Sequence, residues 1–445
     1  MKDSFDPRSY GAVADGHSKD TAAVQAAIDA AAAQGGTVRL AGGTFVCGTL
    51  YLKSNVALEI TNSATLLASP DIADYGTDTH HNRYRNEPEL DRCFLFAQDA
   101  ENVTICGSGV IDGNAAAFPN AGSIYRPMML RVLRCRNVRV QNLRLLNAAA
   151  WTTAFLDSDF IWATDLHIEN HRNYNGDGLD FDGCRHVWVR GCYIGGTDDN
   201  LCLQSSGLPV QDVHISDCAF TSVCAGIRIG LKSIGEISGV VISNCTMRNI
   251  WREGIKLECT EGGSITDILV ENVTMHNVRR PIFAILNNRY RPDDLGSSVE
   301  LDHIPPIGTM ARLRFVGITA VDDEEMAHAQ RRFDNDIMGE PRFGGCRLDA
   351  NAAHPIEDVT IRDFWYTAIG GVRLADLPAA PYPEVPDRLQ APTAPGSENY
   401  YPDWSRTTHL DARYVRGLTL ENLHFNTLYP DERPKMLTEG PTVML

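Results

Sequence analysis

Short stretches of alternating apolar residues recur along this chain at a long and nearly constant interval. Successive starts differ by 35, 24, 25, 26, 27 and 28 residues. Most copies open on a polar residue or glycine, alternate like a β-strand, and close on Asn or Asp. Such self-similarity is typical of a solenoid whose coils, here called rungs, stack on one another. The seven stretches begin at Asn102, Asn137, Ile161, His186, Asp212, Gly239 and Asp267, and weaker copies begin near Arg314, Asp358 and Gly417.

One segment has a helical pattern instead. Residues 21–34 form an Ala-rich run with Val24 and Ile28 four apart, after Asp20 as a candidate N-cap and before the glycines at 35 and 36. From about Thr37 onward the apolar period is two. We therefore predict an all-β fold, a single-stranded right-handed parallel β-helix with a capping helix at residues 21–34. A solenoid also predicts one domain over residues 1–445, rather than the three that ~150 residues per domain would give.

Composition narrows the class of partner. The chain carries 40 Lys and Arg against 57 Asp and Glu, a formal charge of −17, so we expect no nucleic acid and no anionic membrane as partner. No apolar stretch reaches the ~18–20 residues of a membrane span, and the N-terminus lacks a signal core, which leaves the cytoplasm or a mature secreted form open. The twelve cysteines lie mostly in apolar alternation and are interpreted as buried thiols. No metal and no cofactor are expected.

Long stretches interrupt the rhythm at residues 71–92, 287–312 and 374–411. The last two are predicted as loop insertions of the β-helix, and the aromatic residues of 374–411 favour an ordered flap over a solvated insertion. Closure of one end of a cleft by residues 71–92 and 287–312 would favour action on chain ends.

The chemistry-bearing residues emerge when rungs are aligned by their inward apolar residues. Adjacent rungs lie about 4.8 Å apart, so residues at equal offsets from this column stack as well. The alignment places Asp177, Asp180, Asp198 and Asp199 on two neighbouring rungs, with Arg228 and Lys256 on the next two. The inward column is Leu179, Leu201, Ile227, Ile255 and Ile282. The column two positions earlier is Asp177, Asp199, Ala225 and Glu253. The column one position later is Asp180, Cys202, Arg228, Lys256 and Phe283.

Crowded carboxylates raise each other's pKa, which is costly in a structural role and useful in acid/base catalysis. A single Asp at a rung corner more often caps a turn, but capping does not require adjacent acids facing another acid. A calcium site is a further alternative, which the neighbouring cations Arg228 and Lys256 disfavour.

These motifs resemble glycoside hydrolase family 28, the polygalacturonase and rhamnogalacturonase family of pectin-degrading enzymes, whose fold is the pectin-lyase-like solenoid. The similarity spans roughly residues 5–290, with a weaker echo at 411–434. The similarity rests on six segments. They are YGAVADG at 10–16 followed by DT at 20–21, Ile111-Asp-Gly-Asn, Asn147 to Trp151, NGDGLD at 175–180, TDDNLC at 197–202 and Gly254-Ile-Lys256.

The resemblance implies a glycosidase that acts by inverting acid/base hydrolysis on a uronate-containing carbohydrate. By this resemblance Asp177, Asp198 and Asp199 match the catalytic carboxylates of the family, with Asp198 as the general acid and the other two holding the water. The substrate-binding candidates are Asp180, Arg228, Arg252, Glu253, Lys256, Trp151, Tyr174 and His171; each aromatic among them serves equally well as wall packing.

The chain also departs from the family pattern. Ala225 stands where polygalacturonases have the histidine of Gly-His-Gly, and Gly254 replaces the arginine of Arg-Ile-Lys. We therefore expect a specificity that differs from ordinary polygalacturonase, with Arg228 and Arg252 supplying positive charge. Two other functions stay open: a polysaccharide lyase or uronate epimerase on the same fold, and a non-catalytic glycan-binding solenoid. Sugar identity, linkage and oligomeric state do not follow from these residues.

Overall fold

The computed structural model describes residues 4–79, 91–120, 126–289, 301–327, 341–379, 382, 385 and 404–440. Its chain divides into two compact units. The first comprises residues 1–199 and 212–218, and the second comprises residues 200–211 and 219–445. The single domain predicted over residues 1–445 stays a prediction.

The first unit is built from short strands. They are β1 (Ser4–Phe5), β2 (Asp15–Lys19), β3 (Thr37–Leu40), β4 (Gly43–Cys47), β5 (Leu50–Leu52), β6 (Ala57–Ile60), β7 (Ala64–Ala68), β8 (Cys93–Gln98), β9 (Glu101–Gly107), β10 (Val110–Asp112), β11 (Met128–Leu133), β12 (Arg136–Gln141), β13 (Arg144–Leu146), β14 (Thr153–Leu156), β15 (Asp159–Thr164), β16 (His167–Asn170), β17 (Leu179–Asp182), β18 (Arg185–Arg190) and β19 (Tyr193–Gly196).

The second unit has longer strands. They are β20 (Leu201–Ser205), β22 (Ala219–Ser222), β23 (Ile227–Ser233), β24 (Glu236–Ser243), β25 (Thr246–Cys259), β26 (Ser264–Leu286), β27 (Thr309–Val321), β28 (Cys346–Asp349), β29 (Ile356–Gly370), β30 (Leu410–Arg413), β31 (Val415–Tyr429) and β32 (Met436–Glu439), while β21 (Val210–Ser216) contributes to both units. The helices are α1 (Thr21–Ala32) and α2 (Glu324–Ala327), with 3₁₀ turns at Pro7–Tyr10, Ile72–Asp74, Ala115–Ala117, Pro341–Phe343 and Leu374–Asp376.

Strand pairing follows the predicted stacking of rungs. Within the first unit β12 pairs in parallel with β9 and with β15, and within the second unit β27 pairs in parallel with β26 and with β29. Inward residues align in two buried columns, which confirms a parallel β-helix. One column is Val103, Val138, Ile161 and Val187, and the other is Val240, Ile268, Leu313, Val359 and Leu418.

The residues that open each repeat stand at sharp turns with left-handed backbone. Asn and Gly tolerate positive φ better than most residues, so the turn geometry explains their recurrence. Asn137 Nδ2 donates to Asn102 Oδ1 over 2.6 Å, so these side chains also tie one rung to the next. The alignment corrects the predicted start at Ile161 by one residue. The positions are Asn102, Asn137, Phe160, His186, Asp212, Gly239 and Asp267, with φ between 56° and 64°.

Helix α1 confirms the predicted N-terminal helix, although it ends at Ala32 rather than at residue 34. Its buried face includes Val24 and Ile28, and it packs against β1, β3 and β5. Asp20 stands at the N-cap position, but its carboxylate accepts the backbone N–H groups of Val13 and Ala14 instead of capping the helix. Among the described residues no helix is long and apolar enough to cross a membrane.

The described part of the 374–411 insertion packs against the second unit. Val385 belongs to an apolar cluster with Phe283 and Ile285. The Tyr382 ring lies 4.7 Å from the guanidinium carbon of Arg413 and is packed edge-on against Trp404. The ordered flap expected over residues 374–411 stays a prediction. Residues 80–90 of the 71–92 stretch and residues 290–300 of the 287–312 stretch lie outside the described residues.

Candidate active site

The loop that carries Asp177 joins β16 to β17 and is fixed by two buried asparagines. Asn170 Oδ1 accepts the N–H of Ala148 over 2.7 Å. Asn173 Nδ2 donates to the carbonyls of Ala115 and Ala149 at 3.1 and 3.2 Å. Both asparagines satisfy backbone groups of neighbouring rungs, so the loop conformation is determined by these rungs rather than by solvent.

Thr197 links this loop to the Asp198-Asp199 pair. Its hydroxyl donates to the carbonyl of Asn173 and accepts the N–H of Gly176 over 3.1 Å. A Cβ at Gly176 would lie 2.5 Å from Thr197 Oγ1 and 2.6 Å from a backbone carbonyl, so only glycine fits there. Gly178 N–H further donates to the carbonyl of Asp199 over 3.1 Å. The NGDGLD and TDDN motifs therefore form one hydrogen-bonded substructure.

This substructure brings the predicted catalytic carboxylates together. Oxygens of Asp177 and Asp199 lie within 4.8 Å of each other, and so do oxygens of Asp198 and Asp199. Asp199 N–H donates to Asp198 Oδ1 over 2.9 Å. Asp177 and Asp199 are buried, whereas Asp198 is half-buried.

The other predicted site residues of the first unit have different surroundings. Asp180 is buried on β17, where its N–H donates to Thr153 Oγ1 over 3.3 Å. Trp151 is 5% exposed and packs in an apolar cluster with Phe96 and Met128, which matches wall packing and leaves little surface for a sugar. Tyr174 is half-buried and His171 is exposed on the Asp177 loop.

In the second unit the register agrees with the predicted columns. Leu201, Ile227, Ile255 and Ile282 align as inward residues, each fully buried. Cys202, Arg228, Lys256 and Phe283 align one position later. Lys256, expected to point outward to substrate, has a side chain with 0% exposure, while Arg228 and Arg252 keep 12% and 15%.

The predicted binding residue Glu253 lies among cations. Its carboxylate is 3.4 Å from Lys256 Nζ, 3.6 Å from Arg252 Nε and 3.4 Å from an Arg280 nitrogen. Burial alone would raise the pKa of Glu253, but Lys256, Arg252 and Arg280 hold it well below its ordinary value. Glu258 lies between Lys256 and Arg228, with carboxylate–nitrogen distances of 3.5 and 3.2 Å. Glu253 therefore acts as an ionised partner of cations, not as an acid.

Sequence reasoning missed Glu258 and Arg280. Both were within reach of the same alignment: Arg280 stands two positions before Ile282 and pairs in register with Glu253, and Glu258 follows Lys256 by two residues on one face of β25. The ion pairs themselves depend on side-chain direction, which spacing alone does not give.

Of the two departures from the family pattern, the one at Gly254 has a physical reason in this backbone. A Cβ at Gly254 would lie 2.9 Å from the carbonyl of Pro281, so an arginine does not fit without a backbone shift. Ala225 is fully buried. Arg252 approaches the same region by another route, donating to Cys224 Sγ over 3.5 Å.

Comparison with known proteins points to one family. A model of glycosyl hydrolases family 28 matches residues 44–300. A probable polygalacturonase from Vitis vinifera is 26% identical over 262 residues, which cover 52% of each chain. The chain thus spans about half the length of the curated relative it matches.

Solved structures extend the likeness over nearly the whole chain. An exopolygalacturonase from Thermotoga maritima superposes with a TM-score of 0.68 at 18% identity, covering 96% of this chain and 92% of its own. A family 28 exopolygalacturonase from Yersinia enterocolitica gives a TM-score of 0.69 at 16% identity, covering 99% and 79%. At such identities the likeness shows the fold, a right-handed parallel β-helix as predicted.

Proposed function

Because the chain belongs to glycosyl hydrolase family 28, we propose that it hydrolyses glycosidic bonds in pectic or related acidic saccharides. The observation that carries this proposal is the hydrogen-bonded substructure in which Asp177 and Asp198 each lie close to Asp199. Turn capping requires no such grouping, whereas glycosidases require two carboxyl groups around the scissile bond.

The mechanism we assign is inverting hydrolysis. Asp198 keeps part of its side chain exposed and gives its proton to the glycosidic oxygen as that bond breaks. Asp177 and Asp199 are buried and together hold a water, and Asp177 takes its proton as the water oxygen attacks the anomeric carbon from the opposite face of the sugar. An inverting acid and base work at a separation of about 6.5–9.5 Å, which leaves room for the water. Because oxygens of Asp198 and Asp199 lie within 4.8 Å of each other, this separation is assigned to Asp198 and Asp177.

Recognition of an acidic sugar is assigned to Arg228 and Arg252, since both keep exposed surface. Lys256 is wholly buried, so its part is to hold Glu253 and Glu258, and Glu253 in turn positions Arg252. With Ala225 and Gly254 in place of the family residues, the specificity is proposed to differ from that of ordinary polygalacturonases.

The remaining candidate substrate-binding residues all belong to the first unit. Tyr174 and His171 have surface to contact a sugar, whereas Trp151 and Asp180 are buried and support the walls. The substrate is proposed to contain uronate, and no cofactor enters the mechanism.

The decisive experiment is the Asp198→Asn variant assayed on a panel of defined pectic oligosaccharides, with the product anomer followed by NMR. Loss of a general acid lowers kcat by about 10²–10⁴-fold, and wild-type product should form with inverted configuration. Asp217→Asn is the matched control, because Asp217 is an exposed acid of the same unit paired with Arg190 at 3.3 Å.

Full activity of Asp198→Asn would contradict the assignment. Products with the ultraviolet absorbance of an unsaturated uronate would identify a lyase instead. Binding without turnover across the panel would favour the non-catalytic solenoid.

A further inference from the structure

A pocket of about 530 Å³ opens on the first unit next to the Asp177 loop. This volume lies within the ~300–1,000 Å³ of ordinary small-molecule sites. The pocket residues are Leu146, Asn147, Glu169, His171 and Arg172. Apart from His171, none of them has a part in the mechanism proposed above.

Two neighbouring strands and the Asp177 loop form the pocket. Leu146 ends β13 and pairs in register with Glu169 on β16. His171 and Arg172 follow directly, between the anchoring residues Asn170 and Asn173. The chain from His171 to Asp177 spans six residues, which reach roughly 20 Å at most when extended. An oligosaccharide of a few sugars can therefore occupy the pocket while it extends to Asp177.

The side chains offer both kinds of hydrogen-bonding group. Arg172 is a donor and Glu169 an acceptor, while the Asn147 amide and the His171 ring have both functions. Asn147 Nδ2 donates to Asp112 Oδ2 over 3.1 Å, which fixes that side chain. Leu146 adds an apolar surface. Sugar hydroxyls donate and accept at once, and sugar C–H groups pack on apolar surface, so this lining suits a glycosyl ring.

Charge decides between a neutral sugar and a uronate. Arg172 and Glu169 cancel, and one Glu169 oxygen lies 3.2 Å from His167 Nε2. A uronate carboxylate would face Glu169 without a surplus of positive charge, unlike the cation-rich surroundings of Arg252 in the second unit.

We propose that this pocket is an accessory subsite for a neutral sugar, carried as a branch on the acidic saccharide that the proposed function assigns as substrate. The subsite makes the enzyme prefer branched over linear substrate. Because Asn170 and Asn173 fix its wall, the branch is held at a constant position relative to Asp177.

The test compares a linear oligogalacturonide with the same chain carrying one neutral monosaccharide as a branch. In wild type the branched substrate has the higher kcat/KM. Arg172→Ala and Glu169→Ala should each lower the ratio of branched to linear kcat/KM by about tenfold, mainly through KM, since one or two hydrogen bonds are lost. The control Arg190→Ala removes an exposed arginine of the same unit and should keep the wild-type ratio.

Direct binding separates this inference from the proposed function. Calorimetric titration of both oligosaccharides into Asp198→Asn should give the tighter Kd for the branched one, and adding Arg172→Ala should remove the difference. If no pectic saccharide is hydrolysed but this pattern holds, the hydrolase proposal fails and the subsite stands. Equal binding of the two ligands, or a preference that survives both pocket variants, overturns the subsite.

Discussion

Glu253 is a buried carboxylate whose charge depends on three cations. Its pKa is held below its ordinary value by Lys256, Arg252 and Arg280, so its stabilising contribution is present above about pH 4.5 and decreases as the pH falls below that. Glu253→Gln leaves buried cations uncompensated and should lower the free energy of unfolding at pH 7 by about 3 kcal/mol. Urea unfolding measures this loss.

The same variant should also weaken substrate binding, because Arg252 loses its partner at 3.6 Å. Glu236→Gln provides the control, since Glu236 is an exposed glutamate of the same unit that bonds Gln211 and Ser238. A Glu253→Gln protein as stable as this control would show that the cations are satisfied without the carboxylate.

How far the sequence predicted the site can be judged from single residues. The proximity of Asp177, Asp198 and Asp199 was predictable because these residues occur in short motifs with fixed offsets from an apolar column. The burial of Lys256 was not predictable, because residue spacing shows which face of a strand a side chain lies on but not which residues cover that face. The same limit applies to Trp151, whose side chain is buried in an apolar cluster and leaves little surface for a sugar.

Among the elements, β27 is followed directly by a buried acid, Asp322, whose pKa is strongly raised. Asp322 accepts the N–H of Ile369 over 3.0 Å just before α2. The pKa of Asp322 is raised from 3.8 to about 7, because burial and then the neighbouring Asp323 raise it more than the backbone N–H groups of Ile369 and Val278 lower it. The folded chain therefore keeps this proton between about pH 4 and 7 while the unfolded chain releases it, so stability decreases as pH rises through this window.

Asp322→Asn should remove that dependence. From pH 4 to pH 8 the free energy of unfolding of the variant should gain a few kcal/mol relative to wild type, at up to about 1.4 kcal/mol per pH unit. Asp267→Asn is the contrasting control, because the Arg312 contact lowers the pKa of Asp267. Loss of this carboxylate should therefore change the pH dependence of the free energy of unfolding in the opposite direction. A variant difference that is constant with pH would contradict this account.

Regular elements were predictable where local pattern and fold agree. Helix α1 and the rungs follow from apolar periods and from residues that tolerate positive φ, such as Asn137. The 374–411 insertion has no repeating register, so nothing in its sequence indicates that Val385 packs on Phe283 or that Tyr382 packs against Arg413. These contacts join residues distant in sequence, and only the folded chain brings them together.

At the scale of the whole molecule, stacking of rungs explains the cysteines. All twelve are thiols, eleven are buried and Cys106 is half-buried. Burial raises the pKa of Cys93, Cys259 and Cys346 to about 12, so these thiols are both inaccessible and protonated at neutral pH.

Native protein without reductant should therefore react with a thiol reagent at no more than about one group, Cys106, and unfolding in urea should release all twelve. Cys106→Ser should abolish the native reaction while the unfolded titration falls by one group. Fewer than twelve thiols after unfolding of the wild type would mean that some rungs are joined by disulfides. Twelve would mean that stacked apolar columns and asparagine ladders hold the rungs together without covalent links.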